Sequence, residues 1–196
     1  MFKTVERLVL ASASPRRQQY LRDLGLDFEI SAAEIDEKPG TREAPDKYVL
    51  RMAEEKALAV MVNFQESWVL AADTIVFIEK DILGKPASEE EAVRFLMRLS
   101  DKKHRVATSF CLTCLQKQVL YSETVKTDVW FAPFTEKQAA AYVRTGEPMD
   151  KAGAYGIQGK GAFLVKKIQG SYSNVVGLPL SELVAVMNKY GIVKTK

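Results

Sequence analysis

The sequence predicts an α/β fold. Strand-like and helical stretches alternate along the chain, and the nearly all-apolar run from Trp68 to Ile78 has the pattern of a strand covered on both faces. The helical stretches also carry their own start signals. Neither an internal repeat nor a low-complexity linker breaks the alternation.

The first predicted strand is Leu8-Val9-Leu10-Ala11. Ser14-Pro15 then supplies an N-cap residue with proline at the first helical position, opening a helix that closes near Gly25. Phe28 to Ser31 is a short strand, and a polar loop with Glu34, Asp36 and Glu37 follows it. The next helix runs from about Pro45 to Asn63, and helical spacing puts Val49, Met52, Ala53, Ala57 and Val60 on its inner face together with Lys56. Trp68 to Ile78 folds through Lys80-Asp81 into a hairpin with Ile82-Leu83. Ser88 and Glu91 make a capping box for a helix through Ser100, with Ala92, Phe95, Leu96 and Leu99 inward. Val106 to Leu115, Val119 to Val125 and Lys126 to Phe131 read as an antiparallel meander, a candidate second lobe. Thr135 and Gln138 cap a helix that stops at Gly146. A glycine-rich loop, a late strand from Ala162 to Ile168 and a helix opening at Pro179 complete the chain.

Composition narrows the function. With 196 residues, 47% hydrophobic and 27% charged, the chain suits one or two compact lobes with a sizeable core. No apolar run approaches the roughly 18 to 20 residues of a membrane span, and Met1 to Glu6 lacks secretory-signal character, so a cytoplasmic location without membrane partners is expected. A net charge of +3 without a basic stripe gives no support for a stable nucleic-acid complex. Cys111 and Cys114 form a lone Cys-x-x-Cys with no second ligand pair, and residues three apart on a strand face opposite ways, so they read as structural. His104, the single histidine, lies in the basic stretch Lys102-Lys103-His104-Arg105 and reads as solvated. Spacing alone leaves a Ser-His-Asp triad through it open.

The chemistry shows first at Arg16 and Arg17, two cations in the first turn of a helix, where the macrodipole is positive. An anion at that terminus resolves the conflict, because free backbone N–H groups, the Ser12 and Ser14 hydroxyls and two guanidiniums would converge on it; phosphate offers oxygens enough for so many donors. The competing reading is a solvated basic helix start. Asp73, in the middle of an apolar strand, needs a cation, a metal or hydrogen-bond donors to offset the several kcal/mol lost on desolvation (about 2 or more by transfer data), unless it marks a strand end. Lys56, on an apolar helix face, either snorkels or meets a buried anion, and Lys85 in Gly84-Lys85-Pro86 is a loop lysine of either kind. Glu37 and Asp73 suit a Mg²⁺ held through one or two carboxylates and substrate phosphates, with Asp73 as the base that orients water. The small residues of Asp150 to Gly159 allow close approach of a base or ribose, and the Gln158 amide offers both a donor and an acceptor to a nucleobase edge. Neither a P-loop nor a Gly-x-Gly-x-x-Gly spacing is present, which disfavours P-loop kinases and dinucleotide oxidoreductases.

Ser12-Ala13-Ser14-Pro15-Arg16-Arg17, Ile35-Asp36-Glu37, Glu55-Lys56-Ala57, Ala72-Asp73-Thr74, Gly84-Lys85-Pro86 and Asp150 to Gly159, in that order, closely resemble the Maf family of septum-formation inhibitors. The resemblance runs from about Leu8 to Leu183. It implies a single Maf-like domain over residues 1–196, with the two-lobed inosine-triphosphatase-like fold in which a central mixed β-sheet is flanked by helices and a cleft divides the lobes. It further implies a nucleoside triphosphate pyrophosphatase, with Asp73 as proton acceptor and Mg²⁺ or Mn²⁺ as cofactor. Arg16, Thr74 and Gln158 match the branch that acts on dTTP and UTP, whereas a branch acting on 7-methyl-GTP carries Trp, Gln and Glu there. Modified pyrimidine triphosphates, a homodimer and a link to division arrest follow from the same resemblance. A nucleotide-binding regulatory module with little catalysis is the alternative.

Overall fold

The computed structural model describes residues 1–196. Its strands and longer helices, in chain order, are β1 (Phe2–Thr4), β2 (Leu8–Leu10), α1 (Pro15–Asp23), β3 (Glu29–Ile30), α2 (Pro45–Met61), β4 (Trp68–Ile78), β5 (Asp81–Leu83), α3 (Glu89–Leu99) and β6 (Lys103–Cys114). They continue with β7 (Val119–Phe131), α4 (Glu136–Val143), β8 (Val165–Gln169), α5 (Tyr172–Val176), α6 (Leu180–Lys189) and β9 (Val193–Thr195). Three short 3₁₀ turns, Glu147–Asp150, Ala152–Ala154 and Gly159–Leu164, lie between α4 and β8.

The main sheet is mixed, with strand order β3-β2-β4-β6-β7-β8 and β5 paired to β4. β2 pairs parallel to both β3 and β4, while β4–β5 and β7–β8 are antiparallel. The chain divides into two compact units, residues 1–73, 108–125 and 177–196 in the first and residues 74–107 and 126–176 in the second. One division falls between Asp73 and Thr74, inside β4.

In the first unit, α1 and α2 are the crossovers that parallel pairing requires. The periodicity of α2 is realised: Val49, Met52, Ala53, Lys56, Ala57 and Val60 are all buried, with Tyr48 beside them. Leu8, Leu10, Leu21, Trp68, Leu70, Phe110, Leu112 and Leu183 build one core cluster; Val9, Ala53, Ala57, Val69, Ala71 and Cys111 build another. Cys111 and Cys114 are buried free thiols in different clusters, as alternation along β6 requires. Burial pushes the Cys111 thiol up to about 12. β1 and β9 pair antiparallel, a small second sheet too short to register in the sequence pattern.

The second unit packs α3, α4 and the outer strands around Leu83, Leu96, Leu99, Val129, Phe131, Tyr142 and Leu164. The Ser88 hydroxyl accepts from the Glu91 N–H, but the Glu91 carboxylate accepts from the Ala87 N–H at 2.7 Å instead of reaching back to Ser88, so the expected box there closes by half, while Thr135 with Gln138 makes a full capping box.

Three further expectations need correction. Val119 to Phe131 is one 13-residue strand rather than two, because no turn residue separates Val125 from Lys126, and residues of β6 and β7 fall in both units, so the strand run is not a lobe of its own. The late strand begins only at Val165, since residues 159–164 coil into a 3₁₀ turn. His104 is not solvated: it is 2% exposed inside β6, and its Nε2 lies 2.8 Å from the Tyr155 hydroxyl. Alternation along the strand turned it inward between the exposed Lys103 and Arg105.

Candidate active site

The first unit gathers seven of the expected site residues: Ser12, Ser14, Arg16, Arg17, Glu37, Lys56 and Asp73. At its centre is Lys56, whose position on the buried face of α2 aims its ammonium at β4. Nζ lies 2.7 Å from Asp73 Oδ1 and 3.0 Å from Glu37 Oε1. Asp73 is buried, so the carboxylate that broke the apolar pattern of β4 has found its cation. The Lys56 and Asp73 side chains are about equally buried, whereas Glu37 is 47% exposed and marks the solvent side of the cluster.

Beside this cluster lies the start of α1. Ser14 occupies the N-cap position but its side chain makes no capping bond, and the first turn contains no acid. Instead the Ser12 hydroxyl accepts from the Ser14 N–H at 3.3 Å. Arg17 draws the loop into place: Nη1 donates to the Ser12 hydroxyl at 3.1 Å and to the Ala72 carbonyl at 2.8 Å, and Nε donates to the Gly177 carbonyl at 2.8 Å. Desolvation lowers its pKa, with Asp73 acting in the opposite sense, and a guanidinium stays charged all the same. Arg17 thus ties the β2–α1 loop to the residue preceding Asp73. Of the two expected anion-binding guanidiniums, that of Arg17 is therefore taken up by the protein itself, and a helix start with no side-chain cap, no acid and Arg16 in its first turn favours an anion.

Glu37 sits in a loop without regular structure, held by residues that no sequence motif marks. The Tyr48 hydroxyl donates to the Glu37 carbonyl at 3.0 Å. Arg51, one turn along α2 and over the Tyr48 ring, donates to both Glu43 oxygens at 2.8 and 2.7 Å, to Glu55 at 3.1 Å and to the Lys38 carbonyl at 3.1 Å. These bonds bring Glu43 down to about 2, and burial, followed by Asp73 and Glu37, raises Tyr48 to about 12. The i,i+4 spacing of Arg51 and Glu55 is the one sequence signal that could have found them, since a clamp on a loop before the helix carries no period.

The second unit holds Thr74, Lys85 and Gln158. Lys85 and Gln158 are exposed, and Thr74 is partly buried in β4. The segments bearing Lys85 and Gln158 are joined by the Gly153 N–H, which donates to the Gly84 carbonyl at 3.0 Å. Gly153 has φ +69°, and a Cβ there would meet the Val76 side chain at 2.8 Å, so only glycine lets the loop lie this close to β4.

The Maf profile, described as Maf-like protein, matches residues 7–190. The chain belongs to the Maf family. Among its Maf relatives, a dTTP/UTP pyrophosphatase of Desulfotalea psychrophila is 49% identical over 193 residues, covering 98% of this chain and 99% of the relative. A dTTP/UTP pyrophosphatase of Myxococcus xanthus is 49% identical over 185 residues, covering 94% and 93%. One of Geobacter sulfurreducens is 45% identical over 185 residues, covering 94% and 97%. Of solved structures, the Staphylococcus aureus Ham1 protein is similar with a TM-score of 0.45 and 13% identity, over 65% of this Maf chain and 72% of that chain. No helix of the Maf chain is long and apolar enough to cross a membrane.

Proposed function

We propose that this Maf protein hydrolyses dTTP and UTP to the nucleoside monophosphate and pyrophosphate, removing surplus or modified pyrimidine nucleotides. The observation that carries the reading is the buried ammonium of Lys56 shared by Asp73 and Glu37, in a chain that follows the length of relatives named dTTP/UTP pyrophosphatase.

The two carboxylates fit a hard divalent cation. They converge on one ammonium and no cluster of three or more His, Cys, Asp or Glu side chains accompanies them, so the protein offers too few ligands for a closed site but enough for Mg²⁺ or Mn²⁺ that shares its coordination with phosphate oxygens. Glu37 and Asp73 would hold it, and when bound it would neutralise charge on the triphosphate.

The remaining chemistry belongs to the side chains. Ser12, Ser14 and Arg16 with the open start of α1 bind phosphate oxygens, and Arg17 fixes the loop that presents them. Asp73 accepts the proton of the water that attacks the α phosphorus. Lys56 holds that carboxylate in position and, with Lys85, offsets the charge that builds on the leaving pyrophosphate. Thr74 and Gln158 contact the nucleoside, the Gln158 amide reading the pyrimidine edge. We place this chemistry in a single two-lobed Maf-like domain that acts as a cytoplasmic homodimer.

The test is incubation of the purified chain with Mg²⁺ or Mn²⁺ and a panel of triphosphates, with product identification. Monophosphate and pyrophosphate from dTTP and UTP, lost on chelation and in a folded Asp73→Asn variant that still binds nucleotide, is the expected result. Nucleotide binding without turnover would replace the enzyme by a regulatory module, and release of two orthophosphates would indicate a phosphatase.

A further inference from the structure

Gln158 stands at the N-cap of the 3₁₀ turn Gly159–Leu164, a position where a short polar side chain ordinarily caps its own turn. Its side chain makes no capping bond. The donors it leaves are taken by a residue on the other side of the loop. Glu147 Oε2 accepts from the Lys160 N–H at 3.0 Å, and Oε1 accepts from the Gly161 N–H at 3.0 Å and from the Tyr142 hydroxyl at 2.8 Å. The Tyr142 hydroxyl in turn accepts from the Gly156 N–H at 3.1 Å.

Glu147 and Tyr142 therefore grip the loop on both sides of Gln158, at Gly156 and at Lys160–Gly161. The glycines make the grip possible. A Cβ on Gly159, whose φ is +76°, would fall 2.9 Å from Glu147 Oε2, and one on Gly161 would fall 2.5 Å from the Tyr142 hydroxyl. Desolvation works against the Glu147 carboxylate, yet its donors outweigh it and hold the group below the usual carboxylate range; burial moves Tyr142 the other way. Lys151 closes the frame, donating to the Glu147 carbonyl at 2.5 Å and to Asp150 at 2.6 Å.

We propose that Glu147, assisted by Tyr142, is a specificity-determining positioning residue: it caps the turn in place of Gln158, leaving the Gln158 amide to read the pyrimidine edge. This rests on the reading of Gln158 as the base-contacting residue. Thymine and uracil present a carbonyl acceptor and a ring N–H donor where cytosine presents the reverse, so an amide fixed in one orientation separates them and a loose one does not.

Steady-state hydrolysis of dTTP and dCTP by the full chain tests this. Glu147→Gln keeps the shape but puts an amide NH2, which only donates, where one backbone N–H must be accepted. It is expected to raise KM for dTTP and to lower the dTTP/dCTP ratio of kcat/KM, each by about tenfold, with kcat for dTTP within about twofold. Glu147→Asp, which keeps both acceptors, recovers part of the ratio. In a Gln158→Ala background the Glu147→Gln change produces no further loss of discrimination. Should Glu147→Gln fail to fold, Tyr142→Phe removes the bridging hydroxyl and shifts the ratio in the same direction. Folded variants that keep the parental KM and ratio, or that lose turnover of both nucleotides equally, overturn the proposal. A parent protein that turns over neither nucleotide overturns the proposed activity itself.

Discussion

The Lys56 ammonium lies 2.7 Å from the Asp73 carboxylate, with the two side chains only 10% and 11% exposed. Such a pair is worth little against an apolar pair of the same shape, but removing one member strands a buried charge at a cost of about 3 to 5 kcal/mol. Lys56→Met is therefore expected to lower unfolding stability by about 3 kcal/mol, and Lys56→Met/Asp73→Asn to regain most of it. Urea unfolding of the two single variants and the double gives the coupling. Costs that simply add would mean that the two groups do not depend on each other.

The Arg51–Glu43 clamp makes the Glu37 loop acid-sensitive. Glu43 titrates at about 2 in the folded chain against an ordinary value of 4.5, chiefly through its hydrogen bonds from Arg51 and the Gly40 N–H. Between those values the unfolded chain binds more protons than the native one, so this contribution is complete above about pH 4.5 and is lost as pH falls toward about 2. Glu43→Gln should flatten the fall of Tm with decreasing pH in that window and leave Tm at pH 7 lower than the parent's. Parallel Tm-against-pH curves for parent and variant would remove Glu43 from the acid response.

How far the sequence was legible depended on the kind of interaction. Helix α2 could be placed because burial follows its 3.6-residue period, and the same period put Lys56 on the inner face opposite the carboxylate that interrupts β4. The Ser88 cap and the Thr135–Gln138 capping box were readable because their partners lie three residues away. The β1–β9 pair, the reach of Arg17 to the Gly177 carbonyl and the grip of Glu147 on Gly161 were not, since each joins residues whose separation carries no period. His104 misled because the charged residues flanking it suggested a surface turn, whereas on a strand they are what alternation places around an inward side chain.

Gly153 couples the glycine-rich loop to β4 through the absence of a side chain. Gly153→Ala faces two penalties, the left-handed φ of +69° and a Cβ 2.8 Å from that of Val76. Together they are expected to cost about 2 to 4 kcal/mol. Adding Val76→Ala relieves the steric part but not the backbone part, so the double variant should recover some stability without reaching that of Val76→Ala alone. Chemical denaturation of the three variants checks this. A Gly153→Ala protein as stable as the parent would show that the loop has room to move away from β4.

His104 supplies a second pH response, at a milder range. Burial lowers it to about 3 from an ordinary 6.5, with Asp128 acting the other way, and its Nδ1 is buried without a partner that would favour the charged form. In the window between those values the unfolded chain takes a proton that the native chain refuses, so stability is complete above about pH 6.5 and declines as pH falls toward about 3. His104→Gln retains an amide that can meet the Tyr155 hydroxyl, now 2.8 Å from Nε2, and does not titrate. Because the chain has 1 histidine, the difference between the two Tm-against-pH curves from pH 7 to pH 4.5 isolates this one group. The parent curve should fall more steeply than the variant's over that interval. Equal slopes would mean that His104 is protonated in the folded chain and that water or a shifted Tyr155 accommodates it.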